Sequence, residues 1–120
     1  MVSARFYNII FNNGVSFKRE SQFIKIEISG HSGFGINGTD IVCAGISTLT
    51  QTIILSIAQL LKIRQNLLKE NGFLKTEILI DNLDQDQISK LKFIIETLLI
   101  GLLEISKEYP GSVNIEFVTD

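Results

Sequence analysis

One histidine and one cysteine lie at the two ends of a short glycine-rich segment. His31 precedes Cys43 by twelve residues, and each is the only residue of its type in the chain. Asp40 stands three residues before Cys43, at the expected N-cap of a helix, so Cys43 is predicted to lie in the first helical turn. A helix N-terminus stabilises a thiolate, and an imidazole within reach can take the thiol proton. The pattern therefore favours a Cys–His nucleophilic site.

Simpler interpretations stay open for these residues, and other kinds of site are disfavoured. A lone buried cysteine is commonly an inert small apolar residue, and a glycine-rich segment is often only a loop. One histidine, one cysteine and Asp40 are too few ligands for a structural zinc site. The loop has neither G-x-G-x-x-G nor G-x-x-x-x-G-K-[ST]. Asp81, Asp84 and Asp86 are interpreted as helix caps and solvated turn residues, so neither a metal nor a cofactor is expected.

The composition is that of one folded domain, predicted to span residues 1–120. The chain has 120 residues, is 45% hydrophobic and 20% charged, and carries a net charge of −2. Disorder requires low hydrophobicity and high net charge, and phosphate-driven nucleic-acid binding requires clustered cations, so both are disfavoured. The excess of apolar residues on so small a domain predicts that a second copy covers some of them.

The chain is expected to reside in the cytoplasm. A single cysteine cannot form an intrachain disulfide, which fits a reducing compartment. The residues after Met1 lack the apolar block and cleavage site of a signal peptide. The most apolar window, Phe93 to Ile105, contains Glu96 and Glu104 and is shorter than the ~20 residues of a membrane span.

Hydrophobic periodicity predicts an α+β fold. Apolar alternation predicts strands at Arg5–Phe11, Phe23–Ser29, Thr76–Ile80 and Val113–Val118. Asn12-Asn13-Gly14 predicts a hairpin turn, Val15 and Phe17 continue the pattern, and Lys18 to Gln22 form a protruding tip or bulge. Helical spacing predicts one helix from Asp40 to a stop at Asn71-Gly72, and another from Asp84 or Asp86 to Tyr109-Pro110-Gly111. The order ββαβαβ favours a two-layer sandwich, a mixed β-sheet with both helices on one face.

The residues around His31 and Cys43 resemble the ribosomal-processing cysteine protease family (Prp-type). Gly30-His31-Ser32-Gly33-Phe34 matches the Gly-His-x-Gly-aromatic start of that family's pattern. Gly38 to Ala44 matches Gly-x-Asp-Ile-Val-Cys-Ala, and Ser47 follows one helical turn later. The second helix is also similar, whereas the segment from Val15 to Gln22 is longer and more polar than the family's hairpin.

The resemblance implies a cysteine endopeptidase with an α+β fold that acts as a homodimer without a cofactor. Family members remove an N-terminal extension from large-subunit ribosomal protein twenty-seven, cutting after a short hydrophobic sequence that contains aromatic residues. The extension would otherwise obstruct the peptidyl-transfer centre. Cys43 carries over as the nucleophile and His31 as the general base. A non-catalytic dimeric module that binds a ribosomal component during assembly is the alternative function.

Other residues of the motif are expected to support this site. Asp40 caps the helix, and a further role in fixing the loop or the imidazole stays open. Ser47 could donate a hydrogen bond near the sulfur, or equally to the backbone of its own helix. The glycines Gly30, Gly33 and Gly38 would let the loop order over the substrate, and Phe34 or Ile36 would contact aromatic residues of the substrate or only anchor the loop. The backbone N–H groups of Cys43 and Ala44 are candidate donors to the oxyanion.

Overall fold

The computed structural model describes residues 1–30 and 40–119, and these form an α+β arrangement of strands and two helices. The helices are α1 (Ile41–Gln59) and α2 (Gln85–Glu108). The strands are β1 (Val2–Tyr7), β2 (Ile9–Phe11), β3 (Val15–Phe17), β4 (Phe23–Ser29), β5 (Gln65–Glu70), β6 (Phe73–Leu79) and β7 (Val113–Val118).

Five strands form a mixed sheet in the order β5-β6-β4-β1-β7. β1 runs parallel to β7, and the other neighbouring pairs are antiparallel. β2 and β3 form a separate two-stranded hairpin. The predicted α+β fold with a mixed sheet is therefore confirmed. The order of elements is ββββαββαβ instead of the predicted ββαβαβ, because the first strand is divided and a further hairpin follows α1.

One face of the sheet forms the core together with both helices. The strand register aligns Phe6 with Ile26 and Ile26 with Thr76, and all three side chains are almost fully buried. The intervening residues are more exposed, as expected when only one face of a strand is covered. α1 and α2 pack together over this face, with their buried side chains in the same apolar cluster.

The second helix follows the prediction closely. Asp84 is the N-cap and forms a capping box with Gln87, and Asp86 instead pairs with Lys90 at 2.9 Å. Tyr109 ends the helix directly before Pro110. A Cβ at Gly101 would lie 2.5 Å from Cδ2 of Leu49, so the glycine lets α2 approach α1 closely. The buried residues of α2 form one stripe: Leu91, Ile95, Leu98, Leu99 and Leu102.

The predicted first strand is divided in two. Asn8 has a φ of 62°, which interrupts extended backbone between β1 and β2. Its Nδ2 donates to the Phe23 carbonyl oxygen at 3.2 Å, and its own carbonyl accepts from the backbone N–H of Lys18 at 2.9 Å. These contacts stabilise the bend and redirect the chain into the β2–β3 hairpin.

The prediction of a single helix from Asp40 to Asn71 was wrong in its second half. α1 ends at Gln59, and Lys62 then takes a left-handed φ of 58°. The chain returns as β5, and Asn71-Gly72 is the turn of a β5–β6 hairpin rather than a helix stop. Gly72 supplies the φ of 74° that this turn requires. The third predicted strand also begins earlier, at Phe73 instead of Thr76.

α1, rather than the window in α2, is the most apolar helix of the described chain. It has 19 residues with a mean hydropathy of 1.8, which is long and apolar enough to cross a membrane by length and composition. Its residues Ile46, Ile53 and Ile57 are buried in the core, against the sheet and α2. The same helix carries the candidate nucleophile in its first turn.

Candidate active site

Asp40 begins α1 and holds the backbone around Cys43. Its Oδ1 accepts hydrogen bonds from the backbone N–H groups of Val42 and Cys43, both at 3.0 Å. Its carbonyl oxygen accepts from the backbone N–H of Ala44, also at 3.0 Å. The residue is only 9% exposed, so these bonds replace most of its contact with water. The predicted capping role of Asp40 is thereby confirmed.

The same contacts overturn the expectation about the oxyanion. The N–H groups of Cys43 and Ala44 were candidate donors to the oxygen of a reacting carbonyl. Both are directed at Asp40 instead, one to its side chain and one to its carbonyl. A backbone N–H offers a single hydrogen, so neither group is available to an oxyanion in this conformation.

Cys43 is the third residue of α1 and lines a cleft of about 530 Å³. Its side chain is partly buried. One wall of the cleft is the first half of α1, and the opposite wall is the turn of the β5–β6 hairpin with Glu70 and Phe73. Val2 and Ile28, at the ends of β1 and β4, complete the lining. The sulfur therefore lies in a concave site next to the capped N-terminus of a helix.

The lining of this cleft is mainly apolar, with charged groups at a few places. Apolar side chains come from four elements: Val2, Ile28, Ile46, Phe73 and Leu74. Lys69 and Glu70 contribute opposite charges on the hairpin side, and Asp40 lies at the start of α1. Among residues 1–30 and 40–119, no group of three or more His, Cys, Asp or Glu could hold a metal ion. Such a surface suits an uncharged, apolar peptide.

Gly30, at the end of β4, contacts both the β5–β6 turn and the N-terminal residue next to β1. Its backbone N–H donates to the carbonyl oxygen of Gly72 at 2.9 Å, which joins it to the hairpin turn. Its φ is 95°, and a Cβ here would lie 2.7 Å from the carbonyl oxygen of Met1. Both the positive φ and the lack of space for a Cβ atom require glycine at this position.

The structure places four of the predicted site residues around one cleft: Gly30, Asp40, Cys43 and Ser47. Ser47 is exposed, and its Oγ accepts a hydrogen bond from Nε2 of Gln51 at 2.7 Å. The other predicted site residues, His31, Gly33, Phe34 and Gly38, lie outside the described residues. The pairing of His31 with Cys43 therefore stays a prediction.

Several residues near the cleft were missed because they belong to the unpredicted hairpin or contact it. Lys69, Glu70 and Phe73 flank the Asn71-Gly72 turn, and Gln51 joins Lys69 to Ser47. The Asn-Gly pair was the available signal, since it is characteristic of a two-residue hairpin as well as of a helix end.

Substitutions of Asp40 should separate its capping role from its charge. Asp40→Ala is expected to lower the free energy of unfolding by about 1–2 kcal/mol, because the N–H groups of Val42 and Cys43 lose their acceptor. Asp40→Asn keeps an acceptor oxygen and should retain most of that stability and the reactivity of the thiol. Urea unfolding and the alkylation rate of Cys43 are the measurements.

The matched control for Asp40 is Asp84, which caps α2 far along the chain from Cys43. Asp84→Ala should lose comparable stability and leave alkylation unchanged. An Asp40→Asn protein that is stable but reacts much more slowly would contradict capping as the main role and assign a function to the carboxylate charge.

Comparison with proteins of known structure shows that the fold has close counterparts. A Staphylococcus aureus structure, an essential ribosomal processing protease Prp with a covalently linked product peptide, superposes with a TM-score of 0.74 and 22% identity, covering 98% of this chain and 99% of that one. The Streptococcus mutans protein SMU.848 gives a TM-score of 0.66 at 22% identity, covering 100% and 96%. No curated protein matches the sequence.

The sequence itself matches the family described as cysteine protease Prp over residues 13–114. This range includes Asp40, Cys43 and Ser47, the first half of α1, and the β5–β6 hairpin that forms the opposite wall of the cleft. The chain belongs to the cysteine protease Prp family.

Proposed function

We propose that this protein is a cysteine endopeptidase that removes the N-terminal extension of large-subunit ribosomal protein twenty-seven. The observation that carries the proposal is the position of Cys43, which lines an apolar cleft in the first turn of a helix capped by Asp40. The membership of the Prp family supports the protease activity. The Staphylococcus aureus relative, a ribosomal processing protease, was crystallised with peptides, which supports a peptide substrate.

The apolar lining agrees with the substrate class that the family resemblance implies. A short hydrophobic sequence with aromatic residues would bury its side chains against Val2, Ile28 and Leu74. Burial of apolar surface contributes roughly 25 cal/mol per Å², so a cleft of this size can select an apolar peptide over a polar one. The opposite charges of Lys69 and Glu70 would contact the polar backbone or flanking residues of the peptide.

In the proposed mechanism the Cys43 thiolate attacks the scissile carbonyl carbon, and a C–S bond forms as the carbonyl π electrons move to oxygen. His31 takes the thiol proton and later gives it to the leaving amine, so that the C–N bond breaks and a thioester remains. Water then attacks the thioester and gives one proton to His31, the C–S bond breaks, and His31 returns that proton to the departing sulfur. The carboxylic acid product loses its remaining proton to solvent, which leaves the carboxylate and the free thiol. Asp40 positions the helix start throughout and takes no part in proton transfer.

The protein is further proposed to act as a single cytoplasmic domain that forms a homodimer. Its described surface carries several large apolar side chains that a second copy would cover, among them Phe93 and Ile100 on α2, which are 75% and 59% exposed. No direct contact with nucleic acid is proposed, because the net charge is −2.

The experiment is incubation of the protein with the N-terminal segment of ribosomal protein twenty-seven from the same organism, followed by mass spectrometry of the products. A single cut after a hydrophobic, aromatic-containing sequence is expected. The absence of a cut with a reactive thiol would indicate a different peptide substrate. The absence of a cut together with an unreactive thiol would contradict the protease and favour a binding module.

A further inference from the structure

A chain of hydrogen bonds runs from the β5–β6 hairpin to the helix face that carries Cys43. Lys69 Nζ donates to Oε1 of Gln51 at 2.7 Å, and Gln51 Nε2 donates to Oγ of Ser47 at 2.7 Å. Lys69 and Ser47 both line the cleft with Cys43. These hydrogen bonds therefore join the two walls of the cleft: they reach α1 at Gln51, two helical turns beyond Cys43, and end at Ser47, one turn beyond it.

The chemistry of these groups determines which group donates and which accepts in each of the two hydrogen bonds. An ammonium group has only donors, so the amide oxygen of Gln51 must face Lys69 and its NH₂ must face Ser47. The Ser47 oxygen is then an acceptor in this contact, and its own hydroxyl hydrogen must point elsewhere. Lys69 thus prevents, through Gln51, the Ser47 hydroxyl from donating to Gln51.

The helix geometry places Cys43 on the side of Ser47 that faces away from Gln51. Residues four apart lie on the same helix face, about 5–6 Å between Cβ atoms, and side chains lean toward the helix N-terminus. Cys43 lies one turn before Ser47 in that direction, and both line the cleft. Thr50 and Thr52 instead donate to the carbonyls of Ile46 and Thr48. Among the described residues Ser47 donates neither to such a carbonyl nor to the sulfur in this conformation, so its hydroxyl hydrogen can rotate toward Cys43 once the thiolate forms.

We infer that Lys69 and Gln51 are positioning residues that direct the hydroxyl of Ser47 at the sulfur of Cys43, where it stabilises the thiolate. A hydroxyl group that donates its hydrogen to an anion makes a charge-assisted hydrogen bond, which is stronger than a neutral one. The inference rests on the proposed role of Cys43 as the nucleophile. It adds Gln51 of α1 and Lys69 of β5 to the residues that activate this nucleophile.

The test is the rate of iodoacetamide alkylation at pH 7, which reports on Cys43 alone because the chain has one cysteine. Ser47→Ala removes the donor and should slow alkylation about tenfold, the effect of one hydrogen bond to a charged atom. Gln51→Glu keeps the partner of Lys69 but offers only acceptors, so it should turn the Ser47 hydroxyl away and slow alkylation as much. The double variant should be no slower than either single variant, because both remove the same hydrogen bond.

Further variants distinguish the effect of the Ser47 hydroxyl direction from the effect of the added negative charge and from a purely structural role of Gln51. Gln59→Glu adds the same charge at an exposed position of α1 and should react as the wild type does. Lys69→Met frees the Gln51 amide to rotate and should slow alkylation by less than Ser47→Ala, whereas Lys69→Arg, which also has only donors, should restore the rate. A merely structural role for Gln51 would predict no loss in Gln51→Glu, since Glu also accepts the hydrogen bond that Lys69 donates to residue 51.

Three outcomes would overturn the inference. The first is a Ser47→Ala rate within twofold of the wild type, even if peptide cleavage falls. The second is a Gln51→Glu protein with the wild-type rate, and the third is a double variant about a hundredfold slower, which would show independent effects. A wild-type thiol that does not react at all would remove Cys43 as nucleophile, and the proposed function with it. Normal reaction in every variant would remove only this inference.

Discussion

Cys43→Ala is expected to reduce the cleavage of the ribosomal peptide by roughly 10⁴-fold or more, because the nucleophile and the covalent intermediate are both lost. Cys43→Ser should fail to a similar extent, since a hydroxyl is much harder to deprotonate than a thiol. Cleavage is measured by mass spectrometry over several hours with equal concentrations of each protein.

The fold should survive both substitutions at Cys43. The side chain is partly buried and small, so the free energy of unfolding should fall by about 1 kcal/mol or less. Urea unfolding provides this control, and Ser56→Ala, a similar change further along α1, serves as the matched variant that should keep full activity. Cleavage that continues in a folded Cys43→Ala protein would contradict the assignment of the nucleophile.

His31→Ala is expected to reduce cleavage by roughly 10²–10⁴-fold, the usual contribution of a positioned general acid–base group. Alkylation of Cys43 and cleavage of the peptide should respond differently to pH in this variant. Alkylation of Cys43 should recover as the pH rises, because hydroxide then removes the thiol proton in place of the imidazole. Peptide cleavage should stay low, because the leaving amine still lacks a proton donor.

The chain has no other histidine, so no neighbouring imidazole can substitute for His31. The unfolding free energy of His31→Ala, compared with that of the wild type, separates a loss of chemistry from a loss of fold. Cleavage within tenfold of the wild type, or full recovery of cleavage at high pH, would contradict the role of His31 as general base and acid.

Local signals in the sequence were strong wherever the chain has a regular pattern and a clear cap. Buried and partly buried residues alternate along the whole of β4, and α2 has a single apolar stripe between Asp84 and Tyr109. Asp40 is an N-cap that its residue type and position predict, and its spacing to Cys43 predicts that the sulfur lies in the first turn of α1. In these cases the local preference and the final packing agree.

The sequence did not reveal β5 because this edge strand has no alternating pattern. Leu67 and Leu68 are adjacent, point to opposite faces and are 52% and 43% exposed, so their burial gives no period-two signal. The end of α1 is equally hidden, because Lys62 takes a left-handed conformation that a lysine rarely adopts. Only tertiary packing against β6 decides that Gln65–Glu70 is a strand and not a further helical turn.

The same limit applies to the site. Asp40, Cys43 and Ser47 are close in sequence, so their proximity could be predicted from helix geometry alone. Lys69 reaches Gln51 only because the β5–β6 hairpin folds back over α1, with Gln65 also donating to the Ile54 carbonyl at 3.0 Å. The direction of the Ser47 hydroxyl thus depends on a long-range contact that no local pattern indicates.

The most direct test of the central claim is to trap the covalent intermediate on Cys43. The protein is mixed with an ester of the hydrophobic, aromatic-containing cleavage peptide, quenched in acid within seconds, and digested for mass spectrometry. We predict that the peptide containing Cys43 gains the mass of the acyl group, and that Cys43→Ala neither gains this mass nor releases the acid. An acyl group on another residue, or hydrolysis that proceeds equally in Cys43→Ala, would contradict the assignment of this protein as a cysteine protease acting through Cys43.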